Sequence, residues 1–488
     1  MKKPSIQANV ILSTLYQILT MITPLITAPY TARVLGAVGV GINSYTSSVQ
    51  TYFLLLAAFG TYVYGSREIA RNRDDAYRRS QSFWEIELVT VCTTLLCLLG
   101  WVIVILAGGE NRVFYIIKSF HLIAVMFEIS WFFGGIERFD YTVWINTAIK
   151  VLSIVCVFLF VKTPDHLSRF MLIFSVSTFL GNLSLWLFLP KYIQKPDWKN
   201  LHVWHHFPKT LTYFIPTIAT SVYTVLDKTL IGWITNDNAQ NGYYEQATKI
   251  INMAKSVSFV ALNNVLTSRM SYLYAQKDHE QIRQRTNQSM GYIAFMCVGI
   301  TFGLIAVAPN FVVAFFGPEY TDVIQLLRVF SPIILIIGIS NCIAAHYYTP
   351  AGYFKQISIF LIIGAAVNLV LNCLMIPKLG SMGAAIASVT AELVITVLHV
   401  AYSRGMFTVG YLYRHFWKKI VAGLAMTAAI LPMQNIFSHP VLTVLCQVPA
   451  GVIVYCLVLL LLRDDYTSSM AQSVMGRIKK IISPKGRV

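Results

Sequence analysis

This sequence predicts an all-α, polytopic membrane protein with about fourteen transmembrane helices, on three observations. About fourteen apolar stretches, each near the ~20 residues a helix needs to cross a bilayer, run along the 488-residue chain. Basic residues gather in every second gap between them. The composition is 56% hydrophobic and 12% charged with a mean hydropathy of +0.61, whereas a soluble domain carries roughly 25% charge. No aqueous globular domain of any size is left over.

The first span, 10–30, follows Lys2 and Lys3 and has no small-residue cleavage site before Arg33, so it reads as an uncleaved helix and not a secretory signal. The second, 43–64, ends at the basic run Arg67 to Arg79, beyond which spans at 83–107, 113–135, 141–161 and 170–189 follow with short gaps. The basic gap Lys191 to Lys209 precedes spans at 211–234 and 251–272, and Arg269 to Arg285 precedes those at 289–316, 326–348, 357–376 and 383–402. After Arg404 to Lys419 come spans at 416–437 and 441–462, then a basic tail. Counted on the side of Lys2 and Lys3, the gaps and tail hold 27 of the 38 Lys and Arg. Lysine and arginine resist translocation, so both termini are expected in the cytoplasm, the span number being even. The formal charge of +17 is then a topology signal spread over short loops, and it argues against nucleic acid as a partner.

Cys92, Cys97, Cys156, Cys297, Cys342, Cys373, Cys446 and Cys456 all fall inside apolar spans without a Cys-x-x-Cys spacing, so they read as buried small hydrophobes and not as disulfides or metal ligands. The external gaps are short, the longest near 235–249, which leaves no extracellular platform for a polymerase or transferase. No Walker-type phosphate loop is present, which argues against ATP as the direct energy source.

The informative residues are therefore the polar ones within apolar helices. Ser13, Gln17, Thr20, Pro24, Thr27 and Thr31 recur every three or four residues and share one face of the first span. Tyr213, Thr217, Thr220, Thr224 and Asp227 do the same in the seventh, with Lys228 beside them. Asn43, Ser47 and Gln50 in the second span and Asn252, Lys255, Ser256, Asn263 and Thr267 in the eighth complete four helices that line a hydrophilic cavity. Ser and Thr stripes also serve hydrogen bonding between packed helices, and the residues alone leave both uses open. An ionisable group costs ~2.5–3.5 kcal/mol or more near a bilayer centre, so Asp227, Lys228, Lys255, Lys150 and Glu128 are expected to face a wet interior.

Each polar stripe is followed by charge, Arg33 in one and Asp227-Lys228 in the other, then by a glycine expected to open the next helix, Gly41 or Gly242. Two pseudo-symmetric six-helix lobes around a central cavity follow from this parallel, with two C-terminal helices added. The expected division is 1–190, 191–405 and 406–488. Prolines such as Pro24, Pro29, Pro216, Pro309 and Pro332 mark bends. Gly383, Ala387 and Ala391 form a small-residue face, and Gly364, Asn368 and Asn372 a second strip whose asparagines bond across helices.

Several motifs carry a family resemblance. They are Ala32-Arg33-Val34-Leu35-Gly36, the stretch 129–137, Asp227-Lys228 with Gly242-Tyr243-Tyr244-Glu245 and Lys249, and Asn368 to Asn372 followed by Pro377, Gly383 and Glu392. In order and spacing they resemble the polysaccharide-biosynthesis (Wzx-type) flippases, of the superfamily that also holds multidrug exporters and the lipid II flippase. The resemblance implies movement of an undecaprenyl-diphosphate-linked oligosaccharide repeat from the inner to the outer leaflet of a prokaryotic plasma membrane, by alternating access. It implies no cofactor beyond a coupling proton or sodium ion, and partners among membrane lipids and the pathway's polymerase and glycosyltransferases. Arg33, Lys228, Lys249 and Lys255 become candidates for the diphosphate; Asp227, Glu245 and Glu128 for ion coupling or charge balance; Trp131, Tyr243 and Tyr244 for stacking on sugars. The Asp227-Lys228 pair also admits a purely structural use. Lipid II flipping, cation-coupled multidrug export and, from another class, polysaccharide polymerisation are the competing readings.

Overall fold

The computed structural model describes residues 6–482, with side chains throughout except at 6–18, 21, 215–224, 260–265, 268, 474 and 476–482. It is helical, with no strand among the described residues, and eleven of its helical stretches are long and apolar enough to cross a membrane. The helices are α1 (Ile6–Ala58), α2 (Thr61–Asn72), α3 (Ala76–Ala107), α4 (Arg112–Ile123), α5 (Ser130–Gly135), α6 (Phe139–Phe160), α7 (Leu167–Leu185), α8 (Val203–Thr235) and α9 (Asn238–Lys255). They continue with α10 (Ala261–Ala275), α11 (His279–Phe316), α12 (Asp322–Phe330), α13 (Pro332–Ile343), α14 (Phe354–Leu379), α15 (Ser381–Ala401), α16 (Val409–Ile430), α17 (Pro440–Leu461) and α18 (Asp465–Ile482).

The membrane environment is written on the helix faces. On α3 the buried positions include Ser80, Glu87, Thr90 and Thr94, whereas Leu96, Leu99, Ile103 and Leu106 are exposed. In water this distribution would be inverted, but in lipid it satisfies polar groups inside and leaves apolar side chains outside. Cys92, Cys373 and Cys446 belong to that exposed surface, which corrects the expectation that every cysteine is buried; all eight are unpaired thiols.

The first and second spans are joined in one continuous stretch, broken only at Gly36, whose φ of 66° and ψ of 175° are not helical. Gly36, not Gly41, therefore opens the second helix, and Gly242 lies inside α9. A second break at Phe59 and Gly60, both with positive φ, separates α2 from the second span, which ends at Ala58 and not near Tyr64. The gap expected near 235–249 is mostly helix, since α9 starts at Asn238. Hydropathy missed it because this first part of α9 is polar, although it holds helical backbone.

The chain divides into two compact units, residues 1–245 and 246–488. In the first, α8 packs on α1, α2 and α3, and an aromatic core of Tyr64, Phe83, Trp131, Phe132 and Phe133 ties α2, α3 and α5 together. In the second, α14 and α15 meet along the two strips read from the sequence. Asn368 Nδ2 donates to Ser388 Oγ at 3.3 Å, Asn372 Nδ2 to Asn368 Oδ1 at 3.0 Å, and a Cβ on Gly383 would lie 2.6 Å from the Met375 backbone.

The tail helix α18 is fastened by a buried ion pair, Lys419 Nζ to Asp464 Oδ1 at 2.7 Å, while Asp464 Oδ2 accepts from Thr467 N–H and Oγ1–H. Burial pushes the Asp464 carboxyl up, but Lys419 and Thr467 outweigh it and hold it below its ordinary value. A depressed folded value means that this contribution to stability is complete above the ordinary carboxylate range and is lost as pH falls through the depressed value. Lys419→Ala is expected to loosen α18, read as faster tryptic cleavage after the exposed Arg463 at neutral pH; an equal rate would exclude the fastening.

Candidate functional site: a lysine and carboxylate network in the first unit

The second half of α1 presents Asn43, Ser44, Ser47, Ser48 and Gln50 at helical spacing. The end of α8 brings Asp227, Lys228 and Thr229, and the start of α9 brings Asn241, Tyr244 and Glu245. Two glycines let these backbones touch. A Cβ on Gly41 would fall 1.7 Å from Asn238 O, and one on Gly242 would fall 2.0 Å from Ala37 O.

Within this contact Lys228 Nζ pairs with Glu245 Oε2 at 2.6 Å, and Ser44 Oγ donates to the same oxygen at 3.0 Å. Asn241 Nδ2 donates to Lys228 O at 2.9 Å, fixing α8 to α9. Asp227 is buried and accepts from Tyr244 O–H. Thr229 Oγ1 donates to Ser48 Oγ at 2.9 Å and lies 3.1 Å from Tyr52 O–H. From α4, the buried Lys118 donates through Nζ to Ser47 Oγ at 2.7 Å and Asn43 Oδ1 at 3.3 Å, while Gln50 Nε2 donates to Lys118 O at 2.7 Å.

The structure thus brings together Asn43, Gln50, Asp227, Lys228, Tyr244 and Glu245 of the expected site residues. It adds Lys118, which the sequence reading overlooked although a lysine inside an apolar span was signal enough. Arg33 is exposed three residues before the break at Gly36, and Thr20 and Tyr243 are half-buried. Lys249 and Lys255 belong to the second unit, where they are half-buried and Glu392 acts electrostatically on Lys255. The side chains of Gln17, Thr217, Thr220, Thr224 and Asn263 lie outside the described residues.

Two assignments are corrected. Trp131 is 1% exposed and stacks on Phe83 at 5.6 Å, so its ring is core and not a platform for sugars. Tyr244 is buried against Asp227, which removes it from stacking as well. Glu128 sits at the break between α4 and α5, where its Oε1 accepts from Ser130 N–H at 3.0 Å and from Ser130 O–H.

The site is a set of polar groups inside apolar helices, with each buried lysine ammonium held by a carboxylate or by hydroxyl and amide oxygens. A lysine has three N–H donors, so Lys228 can exchange Glu245 for another anion without leaving its helix.

The whole chain has the fold of known transporters. It superimposes on the lipid II flippase MurJ in its inward closed conformation with a TM-score of 0.72 at 16% identity, covering 93% of this chain and 99% of that one. On an inward-facing multidrug resistance MATE transporter of the MOP superfamily the TM-score is 0.59 at 14% identity, covering 81% and 97%. The chain shares their fold, and its eleven long apolar helical stretches make it a multi-pass membrane protein. Residues 6–274 match the family described as polysaccharide biosynthesis protein, and the chain belongs to that family. A relative in Escherichia coli strain K12, named as an O-antigen transporter, is 23% identical over 415 residues, covering 82% of this chain and 97% of its own. Another in Haloferax volcanii, named as the low-salt glycan biosynthesis flippase Agl15, is 21% identical over 277 residues, covering 55% and 56%.

Proposed function

We propose that this protein is a flippase that moves an undecaprenyl-diphosphate-linked oligosaccharide from the inner to the outer leaflet of a prokaryotic plasma membrane, with both termini in the cytoplasm. The observation that carries this reading is membership of the polysaccharide biosynthesis family, with Lys228 and Lys118 held on exchangeable oxygens beside a row of hydroxyl and amide groups. A diphosphate cannot cross hydrocarbon unaided, because burying its charges without partners costs tens of kcal/mol by Born solvation. Ammonium groups that swap Glu245 or Ser47 for phosphate oxygens supply the partners, hydroxyls and amides serve the sugars, and the polyprenyl tail stays in lipid. Arg33, Lys249 and Lys255 are further contacts in this reading, and an ion gradient, of protons or sodium, drives the return. The polymerase and glycosyltransferases of the same pathway act before or after it, and the protein itself is a transporter and not an enzyme.

The test is leaflet accessibility of a fluorescent diphosphate-linked oligosaccharide in vesicles with and without the purified protein, with lipid II and a small organic cation as parallel cargoes. Protein-dependent transfer of the oligosaccharide lipid is expected. Transfer of lipid II alone, or of the cation alone, would replace the reading.

A further inference from the structure

Glu87 is 2% exposed in the first half of α3, and neither of its carboxylate oxygens meets a hydrogen-bond donor among the described residues. Buried polar groups are nearly always satisfied, so an orphaned carboxyl inside a membrane-spanning helix requires a reason. Its helix face is continuous with other buried side chains at intervals of three and four residues. Phe83 stacks on Trp131, Thr90 Oγ1 donates to Thr61 Oγ1 at 3.1 Å, and Thr94 Oγ1 is buried without a partner.

The elements packed on α3 carry titratable groups of their own. Residues 37–58 of α1 contain no acidic or basic side chain. From α2, Tyr62 lies beside Glu128, and Tyr64 O–H is held by His206 of α8, which is itself held by Glu85. From α4 come His121 and Lys118, the latter occupied by Ser47 and Asn43. From the break between α4 and α5 comes Glu128, the group whose charge acts on Glu87. No described residue donates to Glu87, and none adds a third acidic, histidine or cysteine group that would make a metal site.

An ionised carboxylate so placed has no compensation, and a second carboxylate nearby adds repulsion. A bound proton removes both costs. The two acids differ in surroundings: Glu128 keeps two donors from Ser130, which suit the charged form, whereas Glu87 has none.

We propose that Glu87 is a proton-binding site of the first unit. The step moves one proton and nothing else. A proton taken up on Glu87 makes it a neutral acid, while Glu128 keeps its place as acceptor from Ser130. Release returns that proton and leaves a carboxylate. This site stands on burial and hydrogen bonding, so it holds whatever the cargo is. Where the cargo is the one proposed above, it is the place at which a proton gradient enters.

Infrared difference spectroscopy of the full chain in liposomes tests it, since a protonated carboxyl has a carbonyl stretch that shifts in D2O. Wild type is expected to show such a band that disappears on alkalinisation. Glu87→Gln, which matches the neutral acid in shape, loses it, and Glu87→Asp retains one at a shifted position. Glu128→Gln keeps the band but releases the proton at an acidity on the order of tenfold higher, because the neighbouring negative charge is gone. A band unchanged in Glu87→Gln would overturn the proposal. So would one that never titrates, which would make Glu87 a permanently neutral core residue, or one abolished by sodium at constant pH. Glu128→Gln and Glu87→Asp carry the test even where Glu87→Gln fails to fold, and none of these readouts depends on flipping.

Discussion

Lys228→Ala is expected to abolish transfer of the diphosphate-linked oligosaccharide while leaving the chain inserted and folded, and Lys228→Ala/Glu245→Ala is expected to remain inactive. The single substitution strips Glu245 Oε2 of its ammonium and leaves it the hydroxyl of Ser44. Losing one partner of a fully buried pair costs about 3–5 kcal/mol, but the Lys228 and Glu245 side chains are 20% and 17% exposed, so solvent absorbs part of that cost. The double variant separates two roles for the same bond. If the pair only clamps α8 to α9, removing both charges relieves the carboxylate that has lost its ammonium and restores transfer. If Lys228 trades Glu245 for the cargo's phosphate, the double variant is as inactive as the single one. Leaflet accessibility in vesicles, with thermal unfolding in detergent as the folding control, decides between them. Restored transfer would remove Lys228 from cargo binding.

The parts of this structure that were legible in the sequence are those governed by transfer into lipid or by helical spacing. The strip Gly364, Asn368, Asn372 and its partner face from Gly383 meet as spacing required, because a small residue every fourth position allows only a close helix contact. Asp227 and Lys228 were legible because charge inside an apolar helix has few stable placements, whereas Glu245, in the polar first part of α9, was legible only through the family motif. Trp131 was misjudged for a related reason: a motif fixes residue order but not the direction a ring faces, and Gly65 opposite it leaves room for the indole to bury, since a Cβ there would meet the ring at 2.5 Å. Gly41 and Gly242 read as helix starts because glycine in sequence signals either a turn or a close approach, and only the fold distinguishes them. Lys118 and Glu87 carried the signal of charge inside an apolar span, but what surrounds them comes from other helices, which no local window contains.

Gly41→Ala and Gly242→Ala are each expected to stop transfer. In both cases the added methyl meets a backbone carbonyl, at 1.7 Å from Asn238 and 2.0 Å from Ala37, and backbone within a packed helix cannot rotate aside as a side chain does. The helices must separate instead, which costs roughly 1–3 kcal/mol for ordinary overpacking and draws Ser44 away from Glu245. The two contacts to Glu245, at 2.6 and 3.0 Å, are lost on a displacement of about 1 Å. Gly303→Ala is the matched control, since its nearest neighbour is Met426 Cε at 3.8 Å, an ordinary contact. Transfer measured in vesicles is expected to survive in the control and to fail in both test variants, with insertion retained in all three. If alternating access opens this contact during the cycle, the two variants are held in the separated state, and cysteines introduced at Asn43 and Asn241 become more reactive toward a maleimide than in the control. Normal transfer with unchanged labelling would mean that α1 and α9 need not touch at any stage, and the lysine and carboxylate network would then lose the contact that assembles it.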